Sequence, residues 1–449
     1  MLEIKNRKIS IIGAVRSGLG AAKLAQQLGA IPSVSDAGSE GKLKSSIEIL
    51  RKEKIDFEIG KHSEKVFDCD LMVVSPGVPS NAEVISNAKN RNIKIISELE
   101  FASSFCKANV IGITGTNGKT TTTSLCDYLF NECGVKSYSA GNIGLAFSEI
   151  ATVAKENEFV SLEISSFQLD LIDQFKPKVA MILNITPDHL NRYENSVEKY
   201  ALSKLRVFEN QDENDFLILN KDSELLNQYF RKAKSNILFF STSKKVSHGC
   251  YLENDVVKYV RNDIEEFSCK VSDIFIKGEH NIQNAMAVII SAKIFNIDNE
   301  KIIEALKSFK GVEHRLELVR EIDGVKFIND SKATNVDSVI VALKSFDEPI
   351  FLILGGQDKG NDYSMLDELV RERVKKIYAI GSSAEKVFNY FHGKVKTEIK
   401  KDFDEVINTA ISEAREGDVV LLSPACASFD MFDNYEHRGK VFKQIVNDK

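Results

Sequence analysis

Short runs of β-branched and apolar residues recur along almost the whole chain, each separated from the next by a segment with helical periodicity. Lys8-Ile9-Ser10-Ile11-Ile12, Leu71-Met72-Val73-Val74, Val110-Ile111-Gly112-Ile113 and Val179-Ala180-Met181-Ile182-Leu183 are such runs. Ile350-Phe351-Leu352-Ile353-Leu354 and Val419-Val420-Leu421-Leu422 continue the series. A strand that is apolar on both faces has to be covered on both, and helices crossing between parallel strands supply that cover. The fold class expected is therefore α/β. With 449 residues the chain is too long for one core, and the rhythm restarts near Ala108 and near Gly311. Three consecutive α/β domains are expected, at 1–97, 98–311 and 312–449, the first and last Rossmann-like and the middle one of P-loop type. The stretch Phe239–Ser272, with short alternating runs and polar breaks, reads as a small β excursion inside the middle domain.

Charge and cysteine usage narrow the function classes. Lys and Arg number 59 against 65 Asp and Glu, a net charge of −6 spread along the chain. Such a surface argues against a nucleic acid or an anionic membrane as the main partner. No apolar stretch reaches the roughly 18 residues of a membrane span, and Met1-Leu2-Glu3-Ile4-Lys5 lacks the apolar core of a signal peptide. Seven scattered cysteines without a CxxC pair indicate neither a disulfide framework nor a zinc site. A cytoplasmic protein with reduced thiols is expected, and the pairs Lys375-Lys376 and Lys400-Lys401 read as solvated faces.

The strongest chemical signal is Ile113-Thr114-Gly115-Thr116-Asn117-Gly118-Lys119-Thr120-Thr121, which follows an apolar run and opens a helix expected over about 119–133. Glycines let the backbone curl so that several N–H groups point inward, and the helix N-terminus adds positive potential for a phosphate. Lys119 would reach the outer phosphates and the Thr120 hydroxyl a Mg²⁺ ion. The usual P-loop pattern places glycine at position 113, which is isoleucine, and Gly112 falls one residue too early. Strand, loop, Lys-Thr and helix nevertheless come in the right order, so nucleoside triphosphate binding is expected.

Other groups collect after the neighbouring apolar runs. Val160-Ser161-Leu162-Glu163 ends in an acid, and Asn184-Ile185-Thr186-Pro187-Asp188-His189 follows Met181-Ile182-Leu183. Ligands of open parallel sheets gather beyond the carboxyl ends of strands, and Glu163 is an oxygen ligand of the kind Mg²⁺ prefers. A lone His189 reads equally well as a surface or capping residue. Lys204 falls in the middle of an apolar helical face made by Val197, Tyr200, Ala201 and Phe208. Two readings stay open for it: a snorkelling stem with its ammonium in water, or a buried reactive amine of lowered pKa.

The last third carries three more post-strand clusters: Asn329-Asp330-Ser331-Lys332-Ala333-Thr334-Asn335, Gly355-Gly356-Gln357-Asp358-Lys359-Gly360 and Ser423-Pro424-Ala425-Cys426-Ala427-Ser428-Phe429-Asp430. One such turn is an ordinary helix cap, whereas three on one sheet edge suggest a face for an anionic small molecule, with Arg315 a candidate charge clamp. Near the N-terminus, Gly13-Ala14-Val15-Arg16-Ser17-Gly18-Leu19-Gly20 follows a strand and Asp36 ends the next, which suits a nucleoside diphosphate better than NAD because Gly-x-Gly is missing at the turn.

Taken in order, these motifs resemble the Mur ligase family of cell-wall synthesis over essentially the whole chain. Gly115 to Thr120 corresponds to that family's ATP loop. Gly141-Asn142-Ile143-Gly144, Glu163-Ile164-Ser165-Ser166-Phe167-Gln168-Leu169, Asp188-His189, Gly278-Glu279-His280-Asn281-Ile282-Gln283-Asn284-Ala285 and His314-Arg315 follow in its order. The clusters at 329–335 and 423–430 most resemble the branch that adds D-glutamate. The resemblance implies a ligase that activates the carboxylate of UDP-N-acetylmuramoyl-L-alanine as an acyl phosphate with ATP and then joins it to D-glutamate, acting as a monomer.

It also implies roles for individual residues. Gly115, Thr116, Asn117, Gly118, Lys119, Thr120, Thr121, Asn284, Arg315 and Asp330 would meet ATP. Thr120 and Glu163 would hold one Mg²⁺, and His189 with a carbamylated Lys204 a second. Lys119, Glu163, His189, Lys204 and Arg315 would form the catalytic set. Lys332, Thr334, Lys359, Ser428, Phe429 and Tyr435 would line the D-glutamate site. Asn142, Ser165, Gln168 and His189 would face the UDP-sugar, and Gly13, Arg16 and Asp36 the uridine end. In the first domain the sequence departs from the family at Gly13-Ala14-Val15, where a second glycine is common, and at Ala37-Gly38, where Thr-Arg is expected.

Rival readings are a folylpolyglutamate-type or other Mur-type ligase, a P-loop kinase or nucleotide sensor, and a nicotinamide dehydrogenase. A folate-type enzyme starts directly with the ATP domain, and the Asp-Asn-Pro-Arg motif of the diamino-acid ligases is absent. A sensor has no need of Glu163, His189 and Lys204 together. The dehydrogenase reading rests on Gly13 to Gly20 alone.

Overall fold

A computed structural model describes every residue except Met1, Ser80 and His189, and leaves out the side chains of Asn191 and Arg231. Three sheets follow one another along the chain. The first contains β1 (Lys8–Ile12), β2 (Ile31–Asp36), β3 (Asp56–Ile59), β4 (Leu71–Val74) and β5 (Ile95–Ser97), parallel throughout in the order β3-β2-β1-β4-β5. The second contains β6 (Asn109–Thr114), β7 (Ser137–Gly141), β8 (Phe159–Glu163), β9 (Val179–Ile182), β10 (Phe216–Asn220), β11 (Asn236–Ser241), β12 (His248–Glu253), β13 (Val256–Arg261) and β14 (Ile264–Lys270). The third contains β15 (Glu317–Ile322), β16 (Val325–Asn329), β17 (Ile350–Gly355), β18 (Val374–Ile380), β19 (Lys396–Ile399) and β20 (Val419–Leu422).

In the nine-stranded sheet the order is β14-β13-β12-β11-β10-β9-β6-β8-β7. β6 therefore lies between β8 and β9, parallel to both, which brings the ends of the three runs singled out in the sequence side by side. The expected β excursion is the antiparallel set β12, β13 and β14, which attaches through β12 to β11 and widens this sheet. In the third sheet, ordered β15-β16-β20-β17-β18-β19, only the β15–β16 pair is antiparallel. Here β20 separates β16 from β17, so the three post-strand clusters of the last third are neighbours.

The chain condenses into two compact units, residues 1–275 with 281–309, and 276–280 with 310–449. The first two sheets share one unit because their cores are continuous. The helix Glu98–Ser103 inserts Leu99, Phe101 and Ala102, all fully buried, into a cluster holding Ile9, Ile11 and Leu24 of the first sheet's layer and Leu162, Phe175 and Ile182 of the second's. Leu99 and Phe101 each contribute roughly 2 kcal/mol by leaving water. The same helix carries Glu100, whose buried carboxylate accepts backbone N–H groups from Asp173 (2.9 Å), Gln174 (3.0 Å) and Phe175 (2.8 Å) and so pins the loop before β9.

One expectation about charge fails. Of the pair Lys375-Lys376, Lys375 is exposed as expected, but Lys376 is only 1 % exposed. Strand residues alternate between faces, and the face holding Lys376 carries Glu398 (2.7 Å) and Glu413 (2.6 Å), with the Tyr378 ring 4.9 Å from its Nζ. Burial works against the ammonium, but the two carboxylates outweigh it and hold its pKa above the ordinary lysine value. Lys400 is half-buried between Glu398 and Glu405, each at 3.4 Å. No described helix is long and apolar enough to cross a membrane.

Candidate active site

β6 runs into Gly115–Gly118, and the helix Lys119–Glu132 starts at once, with Gly118 as its N-cap at φ +84°. A left-handed residue there favours glycine, and a Cβ on Gly118 would lie 2.6 Å from Asn284 Oδ1. The departures from the usual phosphate-loop pattern have packing reasons. Ile113 is fully buried as the last core residue of β6, and Gly112 lets Ile164 and Pro177 approach the strand, since a Cβ there would meet them at 3.0 and 3.3 Å.

The loop is clamped to the turn after β9. Thr116 N donates to Asn184 O (3.0 Å), Asn117 N to Asn184 Oδ1 (2.9 Å), and Thr116 Oγ1 both donates to Thr186 O and accepts from Thr186 N (3.0 Å each). Lys119 folds over the loop, its Nζ donating to Gly115 O (2.8 Å) and Thr116 O (2.7 Å). Thr120 and Thr121 are buried in the first helical turn, and Asn284, 4 % exposed, packs beside Gly118.

Two buried ionisable groups face this loop. Glu163, at the carboxyl end of β8, is 2 % exposed and accepts Asn142 Nδ2 at 2.9 Å, while Asn142 N donates to Glu163 O at the same distance. Gly141 makes that approach available: it sits at φ +105°, and a Cβ there would lie 2.3 Å from Glu163 O. Arg16 of the first sheet's layer reaches the same turn, donating to Asn142 O at 3.0 Å.

Lys204 decides between the two readings left open for it. The helix Val197–Leu205 forms as expected, and Lys204 is 1 % exposed, so its amine does not snorkel to water. Its Nζ donates to Gly115 O at 2.8 Å and lies 4.5 Å from the Tyr200 ring centroid. Burial first, and then the neighbouring Lys119 charge, push its pKa far below the ordinary lysine value, with Asp188, Glu163 and Asp170 only partly opposing. Ser165 donates its N–H and hydroxyl to Gln168 Oε1 (2.9 and 3.0 Å), capping the short helix Ser166–Leu169, and Gln168 is fully buried. His189 lies outside the described residues.

The donor set suits a hard divalent cation. A buried carboxylate and a buried hydroxyl, Glu163 and Thr120, are oxygen donors of the kind Mg²⁺ takes. The Lys204 amine as it stands is a poor ligand for that ion, whereas a carbamate on it presents oxygens.

In the third sheet, Asp330 lies at the end of β16, where its carboxylate accepts Ser423 Oγ (2.8 Å) and Leu316 N (3.3 Å). Full burial pushes its pKa up to about 7, against the lowering effect of Arg315 and of those hydrogen bonds. Arg315 sits between two left-handed residues, His314 (φ 65°) and Leu316 (φ 45°). Glu317 holds that turn by accepting His314 N at 2.9 Å and Asn329 Nδ2 at 3.0 Å.

Arg438, which no sequence motif singled out, ties the neighbouring turns together. Its guanidinium donates to Ser331 Oγ (2.9 Å), Ser331 O (2.7 Å) and Cys426 O (3.0 Å), and burial lowers its pKa to about 10. Ser428 is buried beside these turns, Thr334 and Tyr435 are half-buried, and Lys359 and Phe429 are exposed. Lys332 Nζ lies 5.2 Å from the Tyr435 ring. Asp358, by contrast, serves its own turn by accepting Gly360 N and Asn361 N, each at 3.2 Å, and pairs with Lys386 of a later helix at 2.7 Å.

The first sheet carries a cleft of about 810 Å³ lined in part by Gly13, Arg16, Asp36, His62, Ser75 and Asn142. Gly13, at φ +100°, makes the turn, and Asp36 stiffens it by accepting Ala14 N and Gly38 N, each at 2.7 Å. The three named sequence candidates of this domain thus lie together.

Comparison with known proteins gives this arrangement a family. The descriptions MurD N-terminal domain, Mur ligase middle domain, and Mur ligase, glutamate ligase domain match residues 32–84, 113–292 and 314–426. The UDP-N-acetylmuramoylalanine–D-glutamate ligase of Koribacter versatilis (strain Ellin345) is 43 % identical over 446 residues, 99 % of this chain and 98 % of that one. The chain belongs to the Mur ligase family. The enzyme of the same name from Clostridioides difficile (strain 630) is 42 % identical over 450 residues, covering 99 % of each chain. Among solved Mur ligases, the UDP-N-acetylmuramate–alanine ligase of Thermotoga maritima covers 98 % of this chain with TM-score 0.63 at 19 % identity, a likeness of fold. The three-domain α/β architecture is that of the Mur ligases.

Proposed function

We propose that the chain is the ATP-dependent ligase that joins D-glutamate to UDP-N-acetylmuramoyl-L-alanine in peptidoglycan precursor synthesis, working as a monomer in the cytoplasm. The observation that carries this reading is the full-length identity of about 43 % to relatives named as UDP-N-acetylmuramoylalanine–D-glutamate ligases. The convergence of Lys119, Thr120, Glu163 and Lys204 on one phosphate loop supports it.

The γ-phosphoryl group of ATP passes to the alanine carboxylate, breaking the bond to ADP and forming an acyl phosphate. The amine of D-glutamate attacks the acyl carbon, loses a proton, and the tetrahedral adduct collapses as phosphate leaves. Loop N–H groups and Lys119, released from its loop carbonyls, neutralise the phosphates, and positioning supplies much of the rest. Thr120 and Glu163 would hold one Mg²⁺, and a carbamate on Lys204 with His189 would hold a second. The ions supply charge neutralisation on the transferred group. The buried Lys204 amine is suited to carbamate formation, because CO₂ reacts with a neutral amine and the site disfavours the ammonium. Asn284, Arg315 and Asp330 contact ATP. Lys332, Thr334, Lys359, Ser428, Phe429 and Tyr435 hold D-glutamate, and Asn142, Ser165, Gln168, Gly13, Arg16 and Asp36 hold the UDP-sugar.

Phosphate release from ATP is the test, with UDP-N-acetylmuramoyl-L-alanine and, separately, D-glutamate, L-glutamate, L-alanine and a diamino acid. Release with D-glutamate alone is expected. Release only with another acceptor overturns the acceptor assignment, and release with none returns the chain to the sensor or kinase reading.

A further inference from the structure

We propose that His62 reads the pyrimidine base of the nucleotide-linked substrate, presenting its Nε2 as a hydrogen-bond acceptor to the ring N3–H. The inference rests on the UDP-substrate reading above and assigns a residue that none of the sequence motifs contained. His62 follows β3 by way of Gly60, whose N–H donates to Asp36 O at 2.8 Å, and it lines the first-domain cleft.

The cleft has two unlike sides. Beyond β4 its lining is largely apolar, with Pro76, Val78, Pro79 and Ala82, a surface that suits the face of a ring. On the β2–β3 side the lining residues are Asp36, Ala37 and His62. Ala37 offers no polar side-chain atom, and each Asp36 oxygen already accepts a backbone N–H that shapes the turn. A uracil edge carries a donor N3–H between two carbonyls, so burying it calls for an acceptor. His62 is the lining side chain on this side with a ring nitrogen to give.

The local hydrogen bonds fix which nitrogen that is. Ser35 Oγ lies 2.7 Å from His62 Nδ1, 3.0 Å from Glu58 Oε1 and 3.3 Å from Lys61 O. A hydroxyl has one proton, and an ionised carboxylate or a carbonyl can only accept. Burial raises the Glu58 pKa, but hydrogen bonds from Ser63, including its N–H at 2.8 Å, and from the Ser35 hydroxyl outweigh it, so Glu58 stays ionised and accepts the hydrogen bond of that hydroxyl. Ser35 Oγ then accepts from Nδ1–H, which leaves the lone pair on Nε2. Burial also lowers the His62 pKa against the pull of Asp36 and Glu58, which keeps the ring neutral near pH 7.

The test is calorimetric binding of UDP-N-acetylmuramoyl-L-alanine and its N3-methyluridine analogue to the full chain. The unaltered protein is expected to bind the N3-methyl analogue roughly tenfold more weakly, the worth of one buried hydrogen bond. His62→Phe is expected to weaken the natural ligand by a similar factor and leave the analogue unchanged, so that the preference disappears. The same preference in both proteins overturns the proposal. Should His62→Phe not fold, ¹⁵N-histidine spectra of the unaltered protein decide: Nδ1 protonated and Nε2 shifting on ligand addition supports it, and the opposite tautomer or an unmoved Nε2 overturns it. D-glutamate-dependent turnover measured alongside separates the two claims. Loss of turnover in the unaltered protein sinks the parent reading, while turnover with an unchanged N3 preference in His62→Phe sinks only the role of His62.

Discussion

Replacing Lys204 with methionine should separate folding from chemistry. The side chain is 1 % exposed, and methionine has nearly its length and volume, so repacking costs less than about 1.5 kcal/mol. The variant loses one hydrogen bond, to Gly115 O at 2.8 Å, worth about 1 kcal/mol net, and a contact with the Tyr200 ring worth under about 1 kcal/mol. Against these losses it is relieved of an amine whose charged form the site disfavours. The terms oppose, and urea denaturation should place the variant within about 1.5 kcal/mol of the parent with an unchanged slope. The sign of the pH dependence follows from the same site. The folded chain binds this proton more weakly than the unfolded one, so the parent's stability rises as pH climbs from the lowered value toward the ordinary lysine value, a slope the variant lacks. Phosphate release, by contrast, should fall by roughly a hundredfold or more, since the group proposed to carry a metal ligand is removed outright. A folded variant within about threefold of the parent's turnover refutes the functional role, and a stability loss beyond about 4 kcal/mol makes Lys204 a structural residue instead.

Three other outcomes are expected. Lys204→Ala should lose turnover that short carboxylates such as formate partly restore, read as phosphate release against added salt; full turnover without additive removes the carbamate. Gly118→Ala should cost about 1–2 kcal/mol for its left-handed backbone and displace Asn284, since the new Cβ would lie 2.6 Å from Asn284 Oδ1; thermal melts and ATP titration should both show the loss. For Asp330, whose folded pKa of about 7 stands above the ordinary aspartate value of 3.8, the folded chain holds its proton more tightly. Stability should therefore fall as pH rises between those values and level off above, and Asp330→Asn, compared by urea melts at each pH, should lack that part of the slope.

The architecture was legible because burial on both faces leaves a mark in sequence. The runs at 8–12, 71–74, 350–354 and 419–422 are strands within a residue or so of where their β-branched content puts them. The loop from Gly115 to Lys119 was legible for the same reason, as glycine and lysine stand where a strand must give way to a helix. What stayed hidden was pairing across long sequence distances. Lys376 looked solvated because its partners Glu398 and Glu413 lie 22 and 37 positions onward in other elements. Arg438 carried no motif, since its three acceptors are the hydroxyl and carbonyl of Ser331 and the carbonyl of Cys426. A carbonyl is the same group at every residue. His62 escaped for a related reason: its bond to Ser35 reaches back 27 positions to the adjacent strand. The helical pattern could place Lys204 on an apolar face but not say whether its amine reached water, which depends on Gly115 and Tyr200 closing over it.

The acyl phosphate is the centre of this account, and oxygen transfer tests it most directly. With ¹⁸O in both carboxylate oxygens of the alanine of UDP-N-acetylmuramoyl-L-alanine, ATP and D-glutamate are added, and the released phosphate is analysed by mass. Activation through an acyl phosphate predicts one ¹⁸O in each phosphate and one retained in the new amide. Unlabelled phosphate would contradict it, because the carboxylate oxygen would then never have been bonded to phosphorus.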